Sequence, residues 1–271
     1  MMILKVLRKR MTLLLNELVN RKSLLRDGAH KRIDIASKEA WTSDQLIVPV
    51  IMCCWSRIDL LPRTLASLSE QAGVIVELHI WNNNRNYRQA LEQIVREAGP
   101  KVRVSIYQSE VNIGGYGRFY VARSLGQEEH NYAITIDDDQ EFGPQFIAGL
   151  YGEREEKTIK GDFAFRFKTQ QDYWAKELVK SGEEADYCGT GGAIFDLSLF
   201  QKKDLFKCPK RYWFIEDLWA CMIAKKYDWT IMRSHAKVKF MVIDGKDQHS
   251  KMYKLKNYFL DYLRQCKYIE R

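Results

Sequence analysis

The chain has 271 residues, 46% of them hydrophobic, so it can bury a full core and reaches the upper end of what one domain holds. Its six cysteines (Cys53, Cys54, Cys188, Cys208, Cys221 and Cys266) are scattered without CxxC spacing. This argues against a disulfide framework or a zinc site and fits reduced thiols in a cytoplasm-like compartment. The net charge of +8 resembles a nucleic-acid signature only until it is mapped. Residues 1–32 carry nine Lys or Arg against Glu17 and Asp27, a net +7, which leaves +1 for everything after them. A nearly neutral body with one basic arm argues against a nucleic-acid surface.

In chain order, Leu4, Leu7, Met11, Leu14, Leu18 and Leu25 fall on a 3-4 spacing, which predicts an amphipathic helix within a basic arm over residues 1–44. Charges interrupt it too often for a membrane span, and no small-residue cleavage site follows. Three roles compete for it: contact with an anionic membrane surface, packing on the protein's own core, and a short coiled coil.

Residues 45–271 form the main domain. "QLIVPVIMCCW" predicts a buried strand, "IDLLPRTLASLSEQ" a helix, "GVIVELHIWNNN" a strand and "YRQALEQIVREAG" a helix. "KVRVSIYQ" predicts a third strand, "GRFYVARSLGQ" a helix and "YAITI" a fourth strand. This alternation predicts a parallel sheet with helices on both faces, where ligands bind at the carboxyl ends of the strands. Arg57, Asn82 and the run Asp137, Asp138, Asp139 all fall at such ends.

Three adjacent carboxylates repel one another unless water or a cation compensates them. The bland reading is a solvated turn capping the next helix. At the end of a buried strand, the run better suits a hard cation, Mg²⁺ or Mn²⁺, that keeps positions open for phosphate oxygens. A second acidic pair, Glu216 and Asp217, precedes apolar residues at helical spacing; helix capping alone would explain it, as would a general base. "KMYKLKNYFLDYLRQCKY" predicts a C-terminal amphipathic helix that packs on the domain or meets a lipid interface or a second copy of the chain.

In the order "VPVIMCCWSR", "LHIWNNN", "NIGGYGRFYVARSL", "ITIDDDQEF", "YCGTGGAIFDLSLF" and "FIEDLWACMIAKKYDW", residues 46–232 resemble family-2 glycosyltransferases of the GT-A fold, in particular bacterial galactofuranosyl- and rhamnosyltransferase relatives. The resemblance implies a Rossmann-like α/β fold and a metal-dependent, inverting transfer of sugar from a nucleotide-sugar donor to a saccharide or lipid-linked glycan. It implies donor contacts from Arg57, Asn82, Asn112, Gly114, Gly115, Asp137 and Asp138. Asn82 stands where many members carry Asp. It also implies metal ligation by Asp139 and Asp137, with His249 rather than His235 as a third ligand, and acceptor contacts from Gly191, Gly192 and Trp213. Asp217 is the implied base, supported by Glu216, and the implied setting is cell-surface polysaccharide synthesis at the cytoplasmic face of a membrane. A catalytically silent nucleotide- or glycan-binding protein and a Mg²⁺-dependent phosphatase are the alternatives.

Overall fold

The computed structural model describes residues 30–35, 45–97, 102–128, 130–241 and 252–268. The helical stripe predicted over the first 25 residues, and His249, lie outside these.

Strands β1 (His30–Ile35), β2 (Ile47–Cys54), β3 (Ile75–Asn82), β4 (Val102–Ser109) and β5 (Tyr132–Asp137) come first, with helices α1 (Leu61–Ser69), α2 (Arg88–Glu97) and α3 (Gly117–Gln127) between them. There follow β6 (Gln140–Glu141), α4 (Phe146–Gly152), β7 (Thr158–Gly161), β8 (Ala164–Phe167), β9 (Lys176–Leu178), β10 (Tyr187–Cys188) and β11 (Ala193–Asp196). Helix α5 (Glu216–Lys226), β12 (Thr230–Arg233), β13 (Lys239–Phe240) and α6 (Tyr253–Gln265) complete the described chain.

The central sheet has eight strands in the order β1-β4-β3-β2-β5-β11-β7-β12. Neighbours β4-β3, β3-β2, β2-β5 and β7-β12 are parallel, while β1-β4, β5-β11 and β11-β7 are antiparallel. The expected mostly parallel α/β sheet is therefore present. One correction concerns the arm: His30–Ile35, read as part of it, is an edge strand paired with β4 from His30 opposite Ser109 to Ile35 opposite Val104.

Alternation along the strands feeds two cores. Val48, Val50 and Met52 of β2 face α1, α2 and α4, while Ile51 faces the core shared with α3, α5 and α6. Helices therefore cover both faces, as a parallel sheet requires. Pro62 sits in the first turn of α1, where its missing N–H costs nothing. Helix α6 docks through Phe259, Leu260 and Leu263, with Phe259 stacked 4.3 Å from Tyr212. That matches the core-packing alternative for the C-terminal helix. Tyr253 and Tyr258 stay outside, at 53% and 60% exposure. All six cysteines are free thiols, four of them buried. Among the described residues, no helix is long and apolar enough to cross a membrane.

A second sheet, β10-β8-β9, was not anticipated. It pairs Phe165 with Tyr187 on one side and Phe167 with Lys176 on the other, and it forms the wall behind Glu216 and Asp217.

Candidate active site

The carboxyl ends of β2 to β5 open into one cavity of about 580 Å³. Its lining includes Arg57, Asn83, Asn112, Gly114, Gly115, Asp137, Asp138 and Asp139 from these ends, and Thr190, Phe214, Glu216 and Asp217 from the later chain.

At the first end Arg57 organises the aspartates. Its Nε and Nη2 donate to Asp138 Oδ1 at 2.9 and 2.5 Å, and Nη1 donates to Asp139 Oδ2 at 2.6 Å. Asp138 is buried under this pair. Asp137 instead meets Arg118, whose Nη2 lies 3.0 Å from Asp137 Oδ1. The asparagines divide their work. Asn82 is buried and ties strand ends together, donating to Gln108 Oε1 at 2.8 Å and accepting from the Asn84 amide at 3.0 Å. Asn83 reaches the cavity and clamps the glycine loop: its Nδ2 donates to the Gly114 carbonyl at 3.0 Å, and its Oδ1 accepts from the Ile113 amide at 3.0 Å. Gly114 has φ +62°, which suits a residue without Cβ. At Gly115 a Cβ would stand 1.8 Å from Glu216 Oε1, so only glycine lets the loop lie against that carboxylate.

At the second end α5 begins with Glu216 and Asp217, where its exposed N–H groups favour negative charge. Asp217 Oδ1 accepts from the Leu218 amide at 2.7 Å, and Oδ2 accepts from the Tyr187 hydroxyl at 2.5 Å. Tyr187 itself accepts from Tyr173 at 3.1 Å. Glu216 is buried beside Arg118, whose Nη1 lies 3.7 Å from Glu216 Oε1, and it accepts from Thr190 at 3.3 Å. Burial pushes the Glu216 carboxyl well above the ordinary range, against the pull of Arg118. Arg118 also donates to Thr190 Oγ1, so one buried guanidinium joins Asp137 to Glu216.

The residues present fit a divalent cation. Asp139 Oδ1 is buried and has no hydrogen-bond partner. Burial and the Asp137 charge, with Asp138 adding to them against Arg57, push the Asp139 carboxyl up to about 7. A cation in contact with that oxygen removes both penalties. Among the described residues no group of three or more His, Cys, Asp or Glu is placed to hold a metal ion. Mg²⁺ and Mn²⁺ do not need one, because one or two carboxylates plus substrate phosphates suffice.

Against known proteins, the family model described as glycosyl transferase family 2 matches residues 50–214, more than half of the chain. The chain belongs to glycosyl transferase family 2. The match ends just before Glu216 and Asp217. Among solved structures, this family 2 glycosyltransferase is similar to mannosyltransferase PcManGT from Pyrobaculum calidifontis in complex with GDP-Man and Mn²⁺, at TM-score 0.58 and 10% identity, over 94% of this chain and 72% of that one. It is also similar to S. aureus TarS at TM-score 0.50 and 16% identity, over 73% of this chain and 37% of that one. The chain thus spans well under half of TarS, and identities this low speak for the GT-A fold alone. No curated protein sequence matches it.

Of the residues singled out in this glycosyltransferase's sequence, Arg57, Asn112, Gly114, Gly115, Asp137, Asp138, Asp139, Glu216 and Asp217 share the cavity. Trp213 does not. It is 1% exposed, stacks on Tyr116 at 5.2 Å and donates its indole N–H to the Cys208 carbonyl; its neighbour Phe214 lines the cavity instead. Asn82 yields its expected place to Asn83. Gly191 acts from behind, since a Cβ there would stand 2.3 Å from Asp137 Oδ2. Gly192, at φ +82°, packs against Val238 and Phe146 rather than the cavity. His235 is exposed, its amide bonded to Glu153, away from the aspartates. Arg118, Thr190 and Tyr187 were missed. An arginine among apolar residues in "GRFYVARSL" was the available signal for Arg118, because a cation on a helix that packs into a core needs partners.

Proposed function

We propose that this family 2 glycosyltransferase transfers a sugar from a nucleoside diphosphate donor to a hydroxyl of a glycan or lipid-linked acceptor, in one inverting displacement that needs Mg²⁺ or Mn²⁺. The observation that carries this reading is the placement of two distinct carboxylate sites in one cavity: Asp139, with an unpartnered buried oxygen, and Asp217, oriented by Tyr187.

When bound, the cation neutralises charge developing on the diphosphate. Asp137 and Asp139 would hold it. Arg57, Asn83 and the loop of Asn112, Gly114 and Gly115 bound the donor pocket. Asp217 accepts the proton of the acceptor hydroxyl as that oxygen bonds to the anomeric carbon. The bond from this carbon to the diphosphate oxygen breaks, and its electron pair leaves with the nucleoside diphosphate. Attack opposite the leaving group inverts the centre, and no enzymic nucleophile is required. The Mn²⁺ and GDP-Man of the mannosyltransferase relative support a divalent cation and a nucleotide-sugar. A third ligand from His249 and a site of action at the cytoplasmic membrane face, in polysaccharide synthesis, belong to the same proposal.

The test is release of nucleoside diphosphate from a panel of nucleotide-sugars with Mn²⁺ and cell-envelope glycans as acceptors. Wild type releases it from one donor class and forms a glycosylated product. Asp217→Asn abolishes product while still binding nucleotide, and full activity in that variant overturns the assignment. Nucleotide binding in wild type without turnover on any acceptor returns the protein to a silent binding module.

A further inference from the structure

The two carboxylates that open α5 repel each other, and each has its own compensation. Glu216 lies 3.7 Å from the buried Arg118 guanidinium. Asp217 has no direct ion pair among the described residues: Oδ2 accepts from the Tyr187 hydroxyl at 2.5 Å, and that hydroxyl accepts from Tyr173 at 3.1 Å. A lysine stands behind these rings. Lys176 on β9 places Nζ 3.5 Å from the Tyr173 ring centroid, 4.5 Å from Phe165 and 4.8 Å from Tyr187. It lies outside the lining of the cavity, and its partners among the described residues are these ring faces rather than a carboxylate.

A cation over the face of a phenol draws electron density from the ring, so the hydroxyl donates more strongly, and hydrogen bonds in series polarise one another. The Tyr173 and Tyr187 hydroxyls form such a series, and it ends on Asp217. A lysine bonded to Asp217 directly would occupy an oxygen lone pair. Held behind the rings, the charge acts while lone pairs stay open: Oδ1 takes one hydrogen bond from the Leu218 amide and Oδ2 one from Tyr187, of about four sites that a carboxylate offers. The groups around Lys176 are Phe165 of β8, Tyr173 and Trp174 before β9, Tyr187 of β10, Lys256 of α6 and Asp217 of α5. Burial pushes Lys176 down to about 7; Asp217 opposes that shift and Lys256 adds to it. Such linkage is reciprocal, so the support that Asp217 gives the ammonium, the ammonium gives the carboxylate.

We infer that Lys176 is a positioning residue for Asp217: its caged ammonium is the counter-charge of that carboxylate and polarises the pair of tyrosine hydroxyls that holds it. The role of Asp217 as base rests on the glycosyl-transfer reading; the electrostatic link between the two residues does not. The small sheet then has a task in the chemistry, because β8, β9 and β10 bring Phe165, Lys176 and Tyr187 together behind the first turn of α5. Glu216 opposes a charge on its neighbour, and Lys176 offsets that opposition without entering the cavity.

NMR of ¹³Cε-labelled lysines across pH tests the link without substrate. Wild type shows a lysine resonance that titrates near 7 and is absent from Lys176→Met. In Asp217→Asn its midpoint falls by at least about 0.5 pH units. Lysines that all titrate near the ordinary 10.5, or a Lys176 midpoint indifferent to Asp217→Asn, overturn the inference. Turnover, read as nucleoside diphosphate release from a nucleotide-sugar with Mn²⁺, tests the role. Methionine keeps the stem against the rings and removes the charge. Release falls about tenfold or more in Lys176→Met and stays within about threefold of wild type in Lys176→Arg, which keeps the charge. Unchanged nucleotide binding in both variants shows an intact fold. Full turnover in Lys176→Met, or an equal loss in both variants, contradicts a role for the charge. No release by wild type from any donor overturns the glycosyl-transfer reading instead, while the NMR titration still decides the link.

Discussion

The Tyr187 hydroxyl donates to Asp217 Oδ2 at 2.5 Å, joining the small sheet to the first turn of α5. Strand β10 thereby holds the carboxylate proposed as the general base, while the Leu218 amide donates to its other oxygen. A hydrogen bond to a charged group contributes about 1.5–3 kcal/mol. Tyr187→Phe keeps the ring beside Lys176 and removes only this bond. The expected result is a kcat lower by roughly 10- to 100-fold, with donor KM unchanged, in steady-state kinetics.

Arg118 is a buried charge between Asp137 and Glu216, so its removal strands two carboxylates. Arg118→Met should lose about 3–5 kcal/mol of stability in urea unfolding. Pairing it with Glu216→Gln should recover part of that loss, because one stranded charge is gone.

Most of the sheet was legible because β2 to β5 are apolar runs punctuated by helices at regular spacing, and the ligand site follows from where such strands end. Asp137 to Asp139 could be read as a site because clustered charge at a buried strand end is costly without purpose, whereas Asp217, at a helix start that favours acids, stood out only by its place in the order of motifs. The small sheet escaped notice because β8, β9 and β10 are only two to four residues long, too short to show a period. Trp213 and Phe214 could not be told apart from sequence, since both are aromatic and one residue's rotation of a 3-10 turn decides which one is buried. Asn82 and Asn83 posed the same difficulty at the end of β3, where alternation decides which side chain faces the cavity.

That rotation gives a paired prediction. Trp213→Ala should cost about 3–5 kcal/mol of stability by opening the core around Tyr116. Phe214→Ala should stay within about 1 kcal/mol of wild type and raise acceptor KM. Thermal melts and acceptor titrations of the two variants separate these roles.

Gly115→Ala places a methyl where Glu216 Oε1 now lies. A displacement of about 1 Å at a reacting centre is enough for a roughly 100-fold loss of rate. Transfer should fall by at least that much, while a melt near the wild-type temperature shows that the fold survives.

The Asp139 carboxyl sits at about 7 in the folded protein, above its ordinary value of 3.8. Without metal, the folded state therefore holds a proton that the unfolded chain has already released. Stability from this group is complete below about pH 4 and is lost as pH rises through about 7. Metal-free Asp139→Asn should melt above metal-free wild type at pH 8, and the gap should close as pH falls toward 4. Bound metal needs the ionised carboxylate, so Mn²⁺ affinity of wild type should weaken up to tenfold per unit below pH 7. Melting curves across pH, with and without Mn²⁺, check both signs.

The most direct test of the account is calorimetric titration of UDP, GDP, dTDP and CDP into wild type and Asp139→Asn, each with and without Mn²⁺. The account predicts that one nucleotide binds wild type tightly, and that removing either the metal or the Asp139 carboxylate weakens it by at least tenfold. Binding that is indifferent to both, or no binding of any of the four, would contradict a metal-diphosphate site at the end of β5.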